Sequence, residues 1–98
     1  MKEILNNLNK LLENRVRLGI MSALMVNDNI DFNTLKDMLD LTDGNLASHL
    51  KVLEKQELIE VRKQFIGRKP NTNYRITGHG IKVFNQHLNA LEKIINRS

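Results

Sequence analysis

Only one long stretch of this chain, residues 58–76, has the alternation of apolar and polar side chains that is typical of β-strands. Ile59 and Val61 alternate with charged residues, and Tyr74-Arg75-Ile76 resumes the alternation after a turn-rich segment at 67–73. Short alternating segments on either side of a stretch rich in Gly, Pro and Asn are typical of a β-hairpin. The sequence therefore predicts one hairpin in a chain whose other segments have helical spacing.

Five other segments repeat apolar residues every three or four positions, which predicts helices. They are Met1–Glu13, Arg15–Val26, Thr34–Leu39, Thr42–Gln56 and Thr77–Asn96. Asn14, Asn33, Thr42 and Thr77 are expected to cap four of these helices, because Asn and Thr side chains accept hydrogen bonds from the first N–H groups of a helix. Gly78 and Gly80 are expected to weaken the start of the last helix. Residues 30–32 can add a short strand.

The order of the elements places two short helices and a tight turn, residues 33–56, directly before the hairpin at 58–76. This order indicates a helix-turn-helix followed by a basic hairpin, called a wing. A helix fits the major groove of DNA and reads base edges, while a basic hairpin tip can neutralise phosphates. We expect a mainly α fold with a small β-hairpin wing, a winged helix-turn-helix, in a single domain over residues 1–98.

The positive charge of the chain is concentrated in the wing. The chain has a formal net charge of +4, and residues 58–76 alone carry five basic and one acidic side chain. Residues 27–57 carry seven acidic and three basic side chains. A basic hairpin suits a polyanionic partner, but charged edge strands also serve to block aggregation. Charge alone therefore leaves both interpretations open.

The helical wheel of the fourth helix separates an apolar stripe from a polar side. Leu46, Leu50 and Leu53 form the stripe, and an Asn on the opposite side can make paired hydrogen bonds to adenine. The predicted DNA-binding residues are Thr42, Gly44, Asn45, Ser48, Lys51 and Lys55 of the helix and Arg68 and Lys69 of the wing. The alternative is that these residues are the ordinary polar surface of an amphipathic helix and a solvated turn.

The last helix repeats apolar residues at alternating spacings of three and four, a heptad-like seam that favours a partner helix. Segments 1–13 and 77–98 are therefore predicted to be the dimerisation helices of a homodimer. The predicted interface residues are Ile4, Leu8, Leu11, Ile81, Phe84, Leu88, Leu91 and Ile95. The alternative is that this face of the last helix packs on the first helix of the same chain.

The sequence offers no constellation for catalysis or for a cofactor. Cysteine is absent, which excludes thiolate metal sites and disulfides, and the three histidines have no matching cluster of carboxylates. His49 borders the leucine stripe and is expected to be a packed or hydrogen-bonded residue. No metal, cofactor, membrane contact or enzymatic activity is expected, and no effector pocket is evident. Because the chain lacks an apolar export segment, we expect it to be cytoplasmic.

The segments Leu41–Glu54, Leu58–Val61 and Phe65–Thr77 together resemble the small stand-alone winged-helix transcriptional regulators of the MarR/ArsR type. The resemblance covers about residues 15–84. It implies a homodimeric DNA-binding regulator, with the fourth helix in the major groove and the wing along the backbone or minor groove. We expect the protein to be a repressor that binds double-stranded DNA at an inverted repeat. The cysteine motif of metal-sensing members is absent, so their sensing role does not carry over. The alternative function is a protein interaction module on the same scaffold, which the acidic segment 27–57 favours.

Overall fold

The computed structural model describes residues 1–96, so that Arg97 and Ser98 of the predicted segment 77–98 lie outside the described residues. The elements are α1 (Lys2–Asn6), a 3₁₀ turn (Lys10–Leu12), α2 (Arg15–Met25), β1 (Ile30–Asp31), α3 (Phe32–Leu39), α4 (Asp43–Lys55), β2 (Ile59–Ile66), β3 (Lys69–Ile76) and α5 (Gly78–Asn96). The predicted architecture, mainly α with a β-hairpin after two short helices, is confirmed.

The hairpin strands pair over their whole length in an antiparallel sheet of order β1-β3-β2. The register runs from Ile59 opposite Ile76 to Ile66 opposite Lys69. Gly67 and Arg68 form the entire turn, and Gly67 has a φ of +66°, as the first position of a two-residue type II′ turn requires. The turn-rich segment expected at 67–73 is thus mostly strand, because pairing with β1 and β2 outweighs the turn preference of its Asn residues.

A single core lies between the helices and the inner half of the sheet. Its largest fully buried side chains are Leu12, Ile20, Met21, Leu24, Leu35, Leu46, Leu53 and Leu58. Helix α2 contacts α3, α4, α5 and β3, and this central position suits a helix whose apolar residues point nearly all round it. Within residues 1–96, no helix is both long and apolar enough to cross a membrane.

The first predicted helix, Met1–Glu13, is wrong in extent. Helix α1 ends at Asn6, and the chain re-forms a short 3₁₀ turn only after Asn9. Asn9 caps that turn by accepting from the Leu11 N–H at 2.9 Å, while its own N–H donates to Nδ1 of His87 at 3.0 Å. Asn side chains compete with helical hydrogen bonds, so apolar spacing alone does not sustain the helix here.

Three of the four predicted caps are confirmed. Asn14 accepts from Val16 and Arg17 N–H groups, and Thr42 and Thr77 accept from the residues three positions later. The Asn33 cap is wrong, because α3 already begins at Phe32, following Asp31 at the end of β1.

The start of α5 is tied to the end of α4. The Thr77 N–H donates to the Leu58 carbonyl at 3.1 Å, and the Thr77 hydroxyl donates to the Glu57 carbonyl at 2.7 Å. A Cβ on Gly80 would overlap the Leu58 carbonyl oxygen. Gly80 therefore permits close packing at the place where it was expected to weaken the helix.

Candidate nucleic-acid interface

The turn between α3 and α4 fixes how α4 is presented to solvent. Asp40 closes α3 in the left-handed conformation with φ of 53°, and the Leu41 N–H donates to the Lys36 carbonyl at 3.1 Å. The Lys36 ammonium lies 2.9 Å from Oδ1 of Asp43 in the first turn of α4. The hydrogen bond to Asp43 raises the pKa of Lys36. Lys36 is therefore engaged within the helix-turn-helix and is not a free cation.

Helix α4 buries one side and exposes the other, as its sequence predicts. Leu46, Leu50 and Leu53 lie in the core. The predicted DNA-binding residues of this helix are all exposed: Thr42, Gly44, Asn45, Ser48, Lys51 and Lys55. A Cβ on Gly44 would meet no atom within 4 Å, so the helix start is open to close approach.

The polar side chains of this surface differ in how free they are to bind. The Thr42 hydroxyl accepts from the Asn45 N–H at 3.2 Å, and the Ser48 hydroxyl donates to the Asn45 carbonyl at 3.0 Å. Among the described residues, the Asn45 amide and the ammonium groups of Lys51 and Lys55 have no hydrogen-bond or ion-pair partner. These three side chains are therefore the most available donors on α4.

His49 lies on the flank of α4 and contacts a residue of α2. An Arg17 guanidinium nitrogen is 3.2 Å from Nδ1 of His49, and Arg17 Nε donates to the Leu11 carbonyl at 2.7 Å. Because a guanidinium only donates, Nδ1 accepts and the imidazole proton belongs on Nε2. Burial, and then the Arg17 charge, lower the pKa of His49. The expectation that His49 is a hydrogen-bonded flank residue is confirmed.

The wing extends beyond the core and is basic at its free end. Eight-residue strands span about 26 Å, and residues 62–70 are all exposed, so only the inner half of the hairpin packs on the core. Arg75 pairs with Glu60 at 2.8 Å across the two strands. Within the part of the chain that the structure describes, the other four wing cations have no ion-pair partner: Arg62, Lys63, Arg68 and Lys69.

Two exposed residues near this surface were not predicted from the sequence. Arg15 opens α2 and lines a depression of about 430 Å³ together with Asn45, Leu39 and Leu41. No sequence signal pointed to this neighbour, because only folding brings the start of α2 next to α4. The second is Phe65, which is 74 % exposed near the wing tip. An aromatic residue in a charged turn region was the available signal for Phe65.

The predicted dimer residues separate into two groups. Phe84 is only 5 % exposed and packs in the core of its own chain, so its side chain is not available to a partner. The half-buried residues are Ile4, Leu8, Leu11 and Leu91, and the exposed residues are Ile81, Leu88 and Ile95. Helix α1 packs against α5, with the Gln86 amide donating to Oδ1 of Asn7 at 3.1 Å. Part of the seam is thus internal, and positions seven apart remain at the surface.

The family model described as a winged helix DNA-binding domain matches residues 16–95. The chain belongs to this family. Its winged-helix part includes α2 to α5 and the whole hairpin, which are the elements that carry the surface described above. The similarity to winged-helix regulators that the segments of α4 and the wing suggested is confirmed at the level of the family.

Two archaeal proteins are similar to this winged-helix chain along most of their length. An uncharacterized protein of Methanocaldococcus jannaschii is 37% identical over 79 residues, which cover 81% of this chain and 86% of that protein. A transcriptional regulator homologue from Pyrococcus horikoshii is 38% identical, with a TM-score of 0.85, covering 97% of this chain and 92% of the other.

More distant winged-helix structures share the fold alone. MepR from S. aureus, solved as a DNA complex, has a TM-score of 0.74 at 18% identity, and the match covers 96% of this chain and 77% of MepR. The similarity supports the arrangement of helices and wing, and it carries no residue roles across at that level of identity.

Proposed function

We propose that this winged-helix protein is a cytoplasmic homodimer that binds double-stranded DNA at an inverted repeat and represses transcription by occluding a promoter. The observation that carries the proposal is the exposed polar side of α4 beside a wing with four unpaired cations in the described part of the chain. The similar protein from P. horikoshii is described as a transcriptional regulator homologue, and MepR has been solved with DNA. Both support the proposal.

Base reading is assigned to Asn45, Ser48 and Lys51. The Asn45 amide can donate to and accept from adenine, and Lys51 can donate to guanine. Ser48 has to give up its bond to the Asn45 carbonyl before its hydroxyl can donate to a base. Thr42 and Gly44 place the start of α4 close to a phosphate, where the helix dipole favours an anion.

Phosphate contacts are assigned to Lys55, Arg68 and Lys69, and we add Arg15 because it lies beside Asn45. Cations that neutralise phosphates release counterions, so each contact steepens the salt dependence of binding. Acidic residues outnumber basic ones in residues 27–57, so the wing and Arg15 must supply most of this attraction.

The dimer is assigned to α5 and α1. Ile81 and Leu88 are both 40 % exposed and seven residues apart, and Leu5 is exposed on the helix that packs against α5. Positions seven apart on a helix lie on one side, which suits an antiparallel or crossed contact with a second copy. Leu88→Glu should reduce the sedimentation mass to one chain at micromolar concentration. Met38→Glu, at an exposed apolar residue of α3 outside this interface, is the control and should stay dimeric.

The deciding experiment is selection of bound sequences from a random duplex pool at near-physiological salt. We expect an inverted repeat with half-sites about 10 bp apart. A template with this site across its promoter should then give less transcript in vitro when the protein is added. Absence of enrichment, with only weak salt-sensitive binding, would contradict the proposal and favour the protein interaction module instead.

A further inference from the structure

The free end of the wing carries two large apolar side chains that the phosphate contacts do not use. Phe65 is 74 % exposed and Ile66 is 62 % exposed, immediately before the Gly67-Arg68 turn. Single exposed apolar residues are common on proteins and need no explanation. Here two are adjacent, at the end of an arm that extends beyond the core. This end of the wing therefore suits a partner surface that is both anionic and partly apolar.

The pairing of the strands places Phe65 and Ile66 on opposite faces of the hairpin. Phe65 lies directly opposite Pro70, so an aromatic ring and a proline ring share one face. Ile66 lies opposite Lys69 on the other face, and lines a shallow depression with Met38 of α3. Pro70 lines another depression with Phe32 and Asn33 of α3, so both faces of the hairpin adjoin the helical body. Phe65 is the more exposed of the two large apolar side chains.

Cations surround the pair of Phe65 and Pro70. Arg62, Lys63, Arg68 and Lys69 lie within three residues of Phe65 or Pro70 along the strands, and all four are exposed. The minor groove of DNA combines flanking phosphates with deoxyribose and base-stack surface that apolar side chains can enter. We infer that Phe65, backed by Pro70, is an apolar wedge that enters the minor groove next to the half-site and bends the duplex there.

This inference rests on the proposed function, and it adds a residue type that phosphate binding does not require. Apolar side chains of minor-groove proteins part neighbouring base pairs and kink the duplex by about 20° to 90°. Burying a Phe side chain contributes free energy that does not depend on salt, whereas a phosphate contact does depend on it. The contribution of the wedge and that of the phosphate contacts can therefore be separated by binding titrations at several salt concentrations.

The test measures affinity and bending of a duplex of about 30 bp that carries the selected site, labelled at both ends for energy transfer, over a range of salt concentrations. Phe65→Ala should weaken binding about tenfold at every salt concentration, with an unchanged salt slope and a straighter duplex. Phe65→Leu should retain most of the affinity. Ile66→Ala is the matched control on the opposite face, and should leave affinity and bend unchanged.

Several outcomes overturn the wedge. They are a wild-type complex with a straight duplex, a Phe65→Ala variant equal to wild type, and an Ile66→Ala variant as weak as Phe65→Ala. In each of these cases the protein still binds DNA, so the proposed function survives. A wild-type protein that binds no duplex refutes both the wedge and the proposed function. Loss of binding to phosphatidylserine vesicles in Phe65→Ala, with DNA affinity unchanged, would assign the tip to a lipid surface and reject the wedge.

Discussion

Helix α4 and the wing lie next to each other in the chain, yet they are built in opposite ways. Helix α4 is anchored by three buried leucines, a Thr42 cap and the ion pair between Lys36 and Asp43. The outer half of the wing has no buried residue, and its conformation depends on strand pairing and one Gly turn. The two regions also differ in charge, since the helix-turn-helix segment is acidic on balance and the wing is basic.

This difference indicates a division of work in binding. Hydrogen bonds to base edges need side chains held in a fixed frame, whereas attraction to phosphates tolerates a mobile arm because it falls off slowly with distance. A rigid helix of low charge is suited to select a sequence, and a protruding basic hairpin is suited to hold any sequence. Substitutions in each of the two regions test that division.

Stability should depend on α4 and not on the wing tip. Leu50→Ala removes a buried side chain from the core, and should lower the free energy of unfolding by about 2–5 kcal/mol. Phe65→Ala at the exposed tip should change it by less than about 0.5 kcal/mol. Urea unfolding followed by circular dichroism measures both. Comparable losses for the two variants would show that the wing is part of the cooperative core.

Specificity and salt dependence should separate between the two regions. Asn45→Ala should lose about 1–3 kcal/mol of discrimination at one base position, with the salt slope retained. Arg68→Ala should weaken binding to all sequences alike, and lower the salt slope by about 1 per protomer. Binding titrations on the selected site and on single-base variants at several salt concentrations distinguish them. An unchanged slope for Arg68→Ala would remove Arg68 from the phosphate contacts.

The helical body, and not the wing, should give the protein its pH dependence near neutrality. Burial lowers the pKa of His49 and His87 below the ordinary value of 6.5, and residues 58–76 contain no histidine. The unfolded chain therefore binds more protons below pH 6.5, and the free energy of unfolding should fall as the pH drops through that region. Above pH 6.5, both histidines make their full contribution to the free energy of unfolding.

The slope for one such group is at most about 1.4 kcal/mol per pH unit. His87→Gln can still accept from the Asn9 N–H, and should flatten the dependence measured by urea unfolding. His79→Gln changes an exposed residue and is the matched control. A His87→Gln protein with the wild-type pH profile would exclude His87 as a source of the effect.

The fold was largely predictable because its strongest signals are local. The leucine spacing of α4 placed Leu46, Leu50 and Leu53 in the core, and Thr42 and Thr77 marked helix starts, as the structure confirms. The errors occurred where a distant contact outweighs local preference. Asn9 lies outside a helix because its N–H donates to His87, 78 positions away. Residues 71–73 belong to a sheet although Asn favours turns.

The candidate site was predictable in part. Helical periodicity identified the exposed residues of α4, and composition identified Arg68 and Lys69. Arg15 was missed because its approach to Asn45 depends on how α2 crosses α4. Phe84 was assigned to a partner surface because periodicity shows that a face is apolar, and it does not say which neighbour covers that face.

The contacts of Thr77 and Gly80 at the start of α5 affect the distance between the two α4 helices in a dimer. Thr77 donates one hydrogen bond to the Leu58 carbonyl and one to the Glu57 carbonyl. Gly80 packs closely against the Leu58 carbonyl. This attachment restricts swinging of α5 about the end of α4. Two copies joined through α5 would then hold their α4 helices at a separation fixed by the fold. Such a dimer would bind well only to operators whose half-sites have the matching separation.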